Sequence, residues 1–394
     1  MESIKTIYKI GHGPSSSHTM GPRLAAELFK KRNPNADKYI VDLYASLALT
    51  GRGHLTDKTI KDALGKNVTV NFLYSEEKEK HANALEFKAY KEDKLIDSWL
   101  VYSIGGGDIR DDSNIDDDQI EEVYPLNSMG EILTYCDENH LSLLDYILKV
   151  ETDILDYLEI VFKQMIDTVN AGLSNDDVLP GKLQVARRAK STYLKYLENR
   201  KFDTLLFASA LASSEENASG AKVVTAPTCG SCGVIAGIVY SLYKTKRFTK
   251  KKLIEGLAIA GLIGLIVKTN ASISGAEVGC QGEVGTACTM ASGMITYLKG
   301  GNNNYIEYAS EIALEHHLGM TCDPIMGYVQ IPCIERNAIA ARQAFASAEY
   351  ALLSNGEHHI TLDMAVKSMM ETGLDLRREY KETALGGLAK VHSN

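Results

Sequence analysis

The segment GLAIAGLIGLIV at residues 256–267 is the longest apolar run in this chain of 394 residues. Glu255 and Lys268 bracket the run, and its twelve residues are too few to cross a bilayer as a helix. We therefore expect a helix that is buried on all sides, in the core of a mostly helical domain.

Helical patterns continue on both sides of this run. Apolar residues recur at helical spacing from Leu141 to Val169, and short joints containing glycine or proline separate the segments that follow. The further predicted helices are 185–200, 203–213, 233–244, 251–267, 286–298, 305–317, 335–354 and 361–372. A domain of this length can bury a sizeable core.

The first third of the chain has a different character, with β-rich runs between shorter helical stretches. The predicted strands are 39–49, 68–74, 84–90 and 95–104, the last two forming a hairpin with a charged turn, and the predicted helices are 21–31 and 56–64. The fold class is therefore predicted as α+β, with a small α/β domain at residues 1–140 and a large, mostly all-α catalytic domain at 141–394. The acidic run at 111–122 is expected to be a solvated loop or the start of a helix.

Charge and cysteine content exclude several classes of protein. Lys and Arg number 42 against 51 Asp and Glu, so the net charge is −9, and we expect no nucleic-acid partner because binding phosphates needs a basic face. The N-terminus lacks the apolar core of a signal peptide, and the seven cysteines are an odd number. These features favour a reducing cytoplasm and no membrane partner, a setting in which clustered cysteines more often serve metal binding or catalysis than disulfides.

Three cysteines lie in segments rich in glycine or proline. Cys280 occurs within GAEVGCQGEVG at 275–285, and two prolines lie between Cys322 and Cys333. Three thiolates on loops fit a cubane iron–sulfur cluster with one iron left open, whereas the spacing alone also fits three ordinary buried cysteines. Cys229 and Cys232 form a single CxxC, which is typical either of a redox pair or of small residues at a helix start.

Two strings near the N-terminus combine polar side chains with glycines. GPSSSHTMGP at 13–22 places the hydroxyls of Ser15, Ser16 and Ser17 where a helix begins, which indicates either a carboxylate or phosphate site or a serine-rich cap. His54 follows a predicted strand between glycines, so it is either a general base that Asp57 orients or part of a surface turn. The glycines at 105–107 indicate a tight turn or a phosphate cradle.

Together these strings resemble the iron–sulfur L-serine dehydratases (L-serine ammonia-lyases). The resemblance covers nearly the whole chain, with GPSSSHTMGP at 13–22, SLALTGRGH at 46–54, LPGKLQVARRA at 179–189, VVTAPT at 223–228, NASISGAEVGCQGEVGTAC at 270–288, LEHHLGMTCDPIMGYVQIPCIERNAIA at 314–340 and YKETALGGLA at 380–389. It implies a cytoplasmic homodimer that converts L-serine to pyruvate and ammonia in amino-acid catabolism and gluconeogenesis.

The resemblance also implies roles for individual residues. A [4Fe-4S] cluster is expected on Cys280, Cys322 and Cys333, with His54, and next His18, as the base. Ser15, Ser16, Ser17 and Thr228 are expected to bind the substrate. Where the family commonly has Thr-Asn-Gly-Ala, this chain has TCGS at 228–231, so a thiol replaces an amide that contacts substrate.

Several alternatives stay open at this stage. An iron–sulfur lyase acting on L-cysteine or L-threonine, a pyridoxal-phosphate dehydratase using the glycines at 105–107, and a non-catalytic amino-acid sensor are the competing functions. Many relatives end in a cysteine that is thought to occupy the open iron, whereas this sequence ends VHSN at 391–394. We expect a frayed tail there, with His392 as the alternative iron ligand.

Overall fold

Strands are concentrated in the first third of the chain and helices in the remainder, which confirms the predicted α+β class. The computed structural model describes residues 1–81, 83–113 and 122–393, so most of the acidic run at 111–122 lies outside the described residues. The strands are β1 (Ile10–His12), β2 (Lys38–Tyr44), β3 (Val68–Leu73), β4 (Ala84–Lys91), β5 (Lys94–Gly105), β6 (Asp108–Asp111) and β7 (Lys222–Val224).

Some helices lie among the strands of the first third, but most lie from residue 129 onwards, where helices form most of the chain. They are α1 (Gly21–Arg32), α2 (Ala45–Thr50), α3 (Thr56–Leu64), α4 (Met129–Asn139), α5 (Leu143–Val150), α6 (Ile154–Ser174), α7 (Ala189–Asn199), α8 (Phe202–Ala218), α9 (Cys232–Lys244), α10 (Lys250–Asn270), α11 (Gly275–Val278), α12 (Thr286–Leu298), α13 (Asn303–Glu315), α14 (Cys333–Leu353), α15 (Leu362–Asp375) and α16 (Gly387–Ser393). Two π-helical turns, Ser16–Met20 and Gln281–Gly285, directly precede α1 and α12.

The small domain is built on a five-stranded sheet in the order β3-β2-β4-β5-β6. Strands β2 and β3 are parallel, and the other neighbouring pairs are antiparallel. The β4–β5 hairpin turns at Glu92 and Asp93, which both have positive φ, as a two-residue hairpin turn of this hand requires. Helix α1 covers the sheet, and its Phe29 packs against Phe87 and Trp99.

Helix α10 lies in the middle of the large helical core. Every residue from Gly256 to Val267 is buried, which confirms the expectation for the apolar run. By length and composition α10 is the one helix among the described residues that would suffice to cross a membrane, but 78% of its apolar window is buried inside the protein. That degree of burial is typical of a core helix rather than a membrane span.

The first residues of the chain connect the two parts of the fold. Met1, Ile4, Ile7 and Tyr8 pack in the helical core, and β1 pairs with β7 in an antiparallel ribbon. Helix α4, which the sequence analysis did not predict, packs in the same core. The domain division at residue 140 therefore stays a prediction, because hydrophobic contacts cross it in both directions.

One prediction of local structure was wrong. The strand predicted at 39–49 ends at Tyr44, and Ala45–Thr50 forms helix α2, so that alanines and leucines at 45–49 obey helical rather than strand propensity. This error matters for the site, because His54 then follows a helix and not a strand. The helical spacing predicted from Leu141 to Val169 is confirmed, and the stretch forms two helices because Ser142 caps α5 and the chain breaks before α6.

Candidate active site

A cavity of about 260 Å³ lies where the small domain meets the helical domain. Polar side chains from four distant parts of the chain line it. They include Ser15, Ser16, Ser17, Thr228, Ser272, Ser274, Glu283 and Glu382. All four predicted substrate-binding residues therefore line one cavity of a size that suits a small amino acid.

The serine turn, Ser15–Ser17, forms the start of the π-helical turn before α1. Ser15 caps this turn, because its Oγ accepts a hydrogen bond from the backbone N–H of His18 at 3.2 Å. The Oγ of Ser16 accepts a hydrogen bond from the backbone N–H of Cys229 at 3.1 Å, so the hydroxyl hydrogen of Ser16 is available to another acceptor. Turns of the π type are frequent at functional sites, and this one opens a helix N-terminus to the cavity.

His18 and His54 lie side by side beneath the cavity, with ring centroids 4.6 Å apart. His18 contacts the Oγ of Ser17 through Nδ1 at 2.8 Å and the Oγ of Ser46 through Nε2 at 3.0 Å. His54 is 0% exposed, and among the described residues neither of its ring nitrogens is hydrogen-bonded to another side chain. Burial lowers the pKa of His54 to about 4, and burial together with His54 lowers the pKa of His18. Both imidazoles are therefore neutral near pH 7.

The prediction that Asp57 orients His54 was wrong. Asp57 lies in the first turn of α3, where its carboxylate faces Lys61 at 3.7 Å. The carboxylate that faces His54 belongs to Glu382, whose Oε1 is 3.6 Å from Nε2. Burial and the nearby Glu283 raise the pKa of Glu382 to about 8.

The three predicted cluster ligands lie close to one another at the start of helical segments and on one loop. Cys280 precedes the π-helical turn of α12, Cys333 is the first residue of α14, and Cys322 lies on the loop between α13 and α14. The charges of Cys280 and Cys333 act on Cys322, and Glu283 acts on all three thiols. The Sγ of Cys322 is 3.9 Å from Oε2 of Glu283, which links the thiols to the cavity.

Glycine at position 275 allows Glu283, which lines the cavity, and Cys322 to lie this close together. A Cβ on Gly275 would lie 2.8 Å from Oε2 of Glu283 and 3.1 Å from Sγ of Cys322. Gly279, at φ +78°, is likewise tight, because a Cβ there would lie 2.7 Å from the carbonyl oxygen of Met320. Gly275 thus leaves space beside Cys322 that any side chain would fill, and Gly279 lets the backbone pass close to Met320.

The donor set of this site fits an iron–sulfur cluster. Burial raises the pKa of Cys280 to about 11, and burial together with neighbouring negative groups raises the pKa of Cys322 and Cys333. Three thiolates could form at this depth only beside a cationic group that neutralises them. Arg336 supplies one positive charge, since it is hydrogen-bonded to Cys280 and paired with Asp323 at 3.2 Å. Sulfur donors on glycine-rich loops suit iron, which would supply the remaining charge.

The other cysteines and the glycine triplet pack as ordinary structural elements. Cys229 contacts the Sδ of Met20 and Cys232 contacts Ser213, both in buried surroundings, and all seven cysteines are free thiols. Cys288 is buried in α12 against the carbonyl of Ala340. Gly106 and Gly107 have positive φ and make the turn between β5 and β6, as expected for a tight turn.

Sequence reasoning missed Glu283, Arg336 and Glu382 as residues of this site. Each lies inside a string that had been singled out for another residue, the first two near Cys280 and Cys333 and the third in YKETALGGLA. Thr228 donates a hydrogen bond to Oε1 of Glu283 at 2.9 Å, so the buried carboxyl joins the substrate side of the cavity to the thiols. The signal that could have identified such residues is a charged side chain inside a glycine-dense, otherwise apolar segment.

Comparison with known proteins gives two family matches that together cover most of the chain. The family described as Serine dehydratase alpha chain matches residues 65–389, and the Serine dehydratase beta chain family matches residues 3–69. L-serine dehydratase 2 of Escherichia coli (strain K12) is 38% identical, over 99% of this chain and 98% of that protein. L-serine dehydratases of Streptomyces coelicolor and Helicobacter pylori (strain ATCC 700392 / 26695) are 38% and 35% identical, over 98% and 99% of this chain and 98% of each of those proteins.

Proposed function

The chain belongs to the serine dehydratase family, and we propose that it deaminates L-serine by β-elimination, giving pyruvate and ammonia with a [4Fe-4S] cluster as cofactor. One observation carries the proposal: a single cavity is lined by the serine turn and Glu283, and Glu283 contacts Cys322. A site that binds a carboxylate beside a cluster of three thiols suits an α-amino acid with a poor leaving group.

Cys280, Cys322 and Cys333 are the residues that would hold the cluster. When bound, a cluster with three protein ligands supplies an open iron that acts as a Lewis acid towards the substrate carboxylate and hydroxyl. Arg336, next to Cys280, offsets part of the negative charge of the thiolates. Because Gly275 has no side chain, there is room beside Cys322, one of these ligands.

The serine turn and Thr228 are the proposed substrate-binding groups. The turn precedes α1, whose N-terminus carries partial positive charge and favours a carboxylate. The Ser16 hydroxyl, which accepts a hydrogen bond from Cys229, can donate its own hydrogen to that carboxylate. A hydrogen bond to a charged group of this kind contributes about 1.5–3 kcal/mol.

His54 is the proposed base for the α-proton, and His18 is the second candidate. The lowered pKa of His54, about 4, leaves the imidazole neutral at physiological pH with a lone pair able to accept a proton. General-base assistance is worth ~10²- to 10⁴-fold in rate. The aminoacrylate that leaves the site then tautomerises and hydrolyses in water without help from the protein.

We also propose that the enzyme is a cytoplasmic homodimer that takes part in amino-acid catabolism and supplies pyruvate for gluconeogenesis, without nucleic-acid or membrane partners. The net charge of −9 disfavours a polyanion partner. The burial of α10 in the core supports a structural role for the one strongly apolar helix.

An anaerobic assay of pyruvate formation tests the proposal. Protein purified without oxygen should be brown, bleach with dithionite, and release pyruvate from L-serine faster than it releases the corresponding products from L-threonine or L-cysteine. A yellow protein that loses its colour with borohydride would instead indicate a pyridoxal-phosphate aldimine, and a colourless protein that binds serine without turnover would indicate a sensor. Faster turnover of L-threonine or L-cysteine would reassign the substrate within the same chemistry.

A further inference from the structure

A second cavity, of about 580 Å³, lies on the helical domain between α13, α14 and the segment that leads to α15. Among the described residues it shares no lining side chain with the active-site cavity, and its volume is typical of a small-molecule site. No lysine or arginine is among the described residues that line it. Its lining includes Tyr308, Glu311, Glu315, Ser347, Tyr350 and Glu357.

Two carboxyl groups of like charge meet in the second cavity without a cation beside them. Glu311 and Glu315 lie one turn apart on α13, so their side chains are neighbours on the helix surface. Burial and Glu315 together raise the pKa of Glu311 to about 8. In the described part of the chain neither carboxyl forms an ion pair with a lysine or an arginine. A positively charged ligand would relieve this repulsion.

Two buried polar atoms of the second cavity also lack partners. The Oε1 of Glu311 and the Oγ of Ser347 have no hydrogen-bond partner among the described residues, and the two residues are 3% and 1% exposed. Leaving such atoms unpaired costs free energy, and in a native structure they indicate a missing water or ligand. Ser347 is neutral and comes from α14, so it points to a ligand independently of the two carboxyl groups.

Two tyrosines give the second cavity an aromatic surface. The ring centroids of Tyr308 and Tyr350 are 6.4 Å apart at 72°, and Tyr350 is 62% exposed. Tyr308 also stacks on His358, with centroids 4.2 Å apart, and Nε2 of His358 is 2.7 Å from Oε2 of Glu307. The wall opposite α13 is therefore fixed in place. Aromatic faces attract ammonium groups and pack against methylene chains.

An organic cation fits this lining better than a metal ion does. In the described part of the chain, one set of three or more His, Cys, Asp or Glu side chains has its ligand atoms within 4.8 Å of one another, and that set is His18, His54 and Glu382, outside the second cavity. Metal ligation needs such convergence, whereas an alkylammonium needs carboxylates and aromatic rings.

We propose that the second cavity binds a linear aliphatic diamine or polyamine. One ammonium group lies against Glu311 and Glu315, and the methylene chain runs along Tyr350. Glu357, on the segment between α14 and α15, provides a carboxylate for a second ammonium group. The site does not depend on the proposed dehydratase function.

Calorimetric titration of the anaerobic holoenzyme with butane-1,4-diamine tests this site. At about pH 8.5 Glu311 is mostly ionised, and an alkylammonium keeps its proton as a lysine side chain does. Butylamine, which has one charge, and Mg²⁺, which has two charges and no methylene chain, are the comparison ligands at equal ionic strength. One diamine per chain should bind, at least about tenfold more tightly than either comparison ligand.

Three variants locate the bound diamine. Glu311→Gln should raise the Kd about 10- to 150-fold, and Tyr350→Leu, at an exposed position, should raise it about 2- to 30-fold. Glu349→Gln is the matched control, because Glu349 is next to Tyr350 on α14 but pairs with Lys299 at 2.9 Å, and it should leave the Kd unchanged.

Three results would overturn the proposal. They are the absence of diamine binding to the wild-type holoenzyme, binding of Mg²⁺ as tight as that of the diamine, and equal weakening in Glu311→Gln and Glu349→Gln. The second and third would reduce the site to a surface that attracts any counterion. An unchanged Kd in Tyr350→Leu would equally contradict it, because the aromatic surface would then have no part in binding.

Discussion

The backbone N–H of Glu382 donates a hydrogen bond to the carbonyl of Cys322 across 2.8 Å. This contact joins a segment near the C-terminus to the loop between α13 and α14, 60 residues earlier in the chain. A second tie, from the N–H of Leu388 to Oδ2 of Asp323 at 2.8 Å, holds α16 against the same loop. One candidate cluster ligand and the carboxyl that faces His54 are therefore positioned by a single pair of backbone segments.

Replacing any of the three proposed ligands should remove the cluster. We expect Cys280→Ser, Cys322→Ser and Cys333→Ser to lose most of their iron and more than about 100-fold in activity, because a cubane with three protein ligands cannot spare one. Iron per chain, measured after anaerobic purification, is the direct readout.

The matched controls are Cys229→Ser and Cys232→Ser. Both thiols are buried in ordinary packing contacts, so both variants should keep iron and activity. Four irons per chain in Cys322→Ser would contradict the ligand assignment.

His54→Ala should keep the fold and the cluster but lose turnover. The serine turn and Thr228, and not the imidazole, are proposed to bind the substrate. L-serine should therefore still perturb the absorption spectrum of the cluster. The expected loss in kcat is at least ~10², the lower limit for a general base. Survival of turnover within about tenfold would transfer the role to another residue, and His18→Ala is the next variant to assay.

Periodicity predicted the helical domain well because its signal is strong and local. Apolar residues at helical spacing indicated the helical stretch that contains α5 and α6, and they located α8 through α15 to within a few residues, apart from the four-residue α11; the apolar run located the central helix α10. The same reasoning failed at Ala45–Thr50, where a short apolar run fits either a strand or a helix and the burial that decides between them is tertiary. It also could not show that residues 1–8 enter the helical core, since short apolar segments reveal nothing about their partners.

The site was predictable in its residue types but not in its pairings. Glycine and proline context selected Cys280, Cys322 and Cys333, and the serine turn selected Ser15–Ser17. The partner of His54 was assigned to Asp57, three residues away, although the carboxyl that faces it comes from Glu382, 328 residues further along. Closeness in sequence is a poor guide here, because α3 directs Asp57 towards Lys61.

Ser16→Ala should weaken substrate binding and leave the chemical step intact. Loss of one hydrogen bond to a carboxylate costs about 1.5–3 kcal/mol, which corresponds to roughly a 10- to 150-fold rise in KM with little change in kcat. Ser209→Ala is the control, because Ser209 is buried and bonded to the carbonyl of Leu205 inside α8. An unchanged KM in Ser16→Ala would remove this hydroxyl from the substrate-binding set.

The stability of the helical domain should depend on pH through Glu311. Burial and the neighbouring Glu315 raise the pKa of Glu311 from 4.5 to about 8. Between these pH values the folded protein holds a proton on Glu311 that the unfolded chain has lost. The contribution of Glu311 to the free energy of unfolding is therefore complete below pH 4.5 and disappears as the pH rises through 8.

Urea unfolding at a series of pH values measures this effect. The side chain in Glu311→Gln stays neutral. The urea midpoint of this variant should therefore increase relative to that of wild type as the pH rises from 5 to above 8. Glu349→Gln changes an exposed carboxylate, with a side chain that is 51% exposed, and its curve should run parallel to that of wild type. Parallel curves for wild type and Glu311→Gln would contradict the raised pKa.

Deleting residues 391–394 should leave the resting cluster and the activity unchanged. Val391 is 74% exposed and His392 is exposed, whereas α16 is fixed through Leu388 at its other end. Gly387, at φ +53°, is the sensitive position, because a Cβ there would lie 2.2 Å from the Oδ2 of Asp323. Gly387→Ala should therefore disturb the pairing of Asp323 with Arg336 and release iron, while the deletion keeps iron and starts turnover without a lag. A spectral shift in the deletion variant that His392→Ala reproduces would show instead that the tail is an iron ligand.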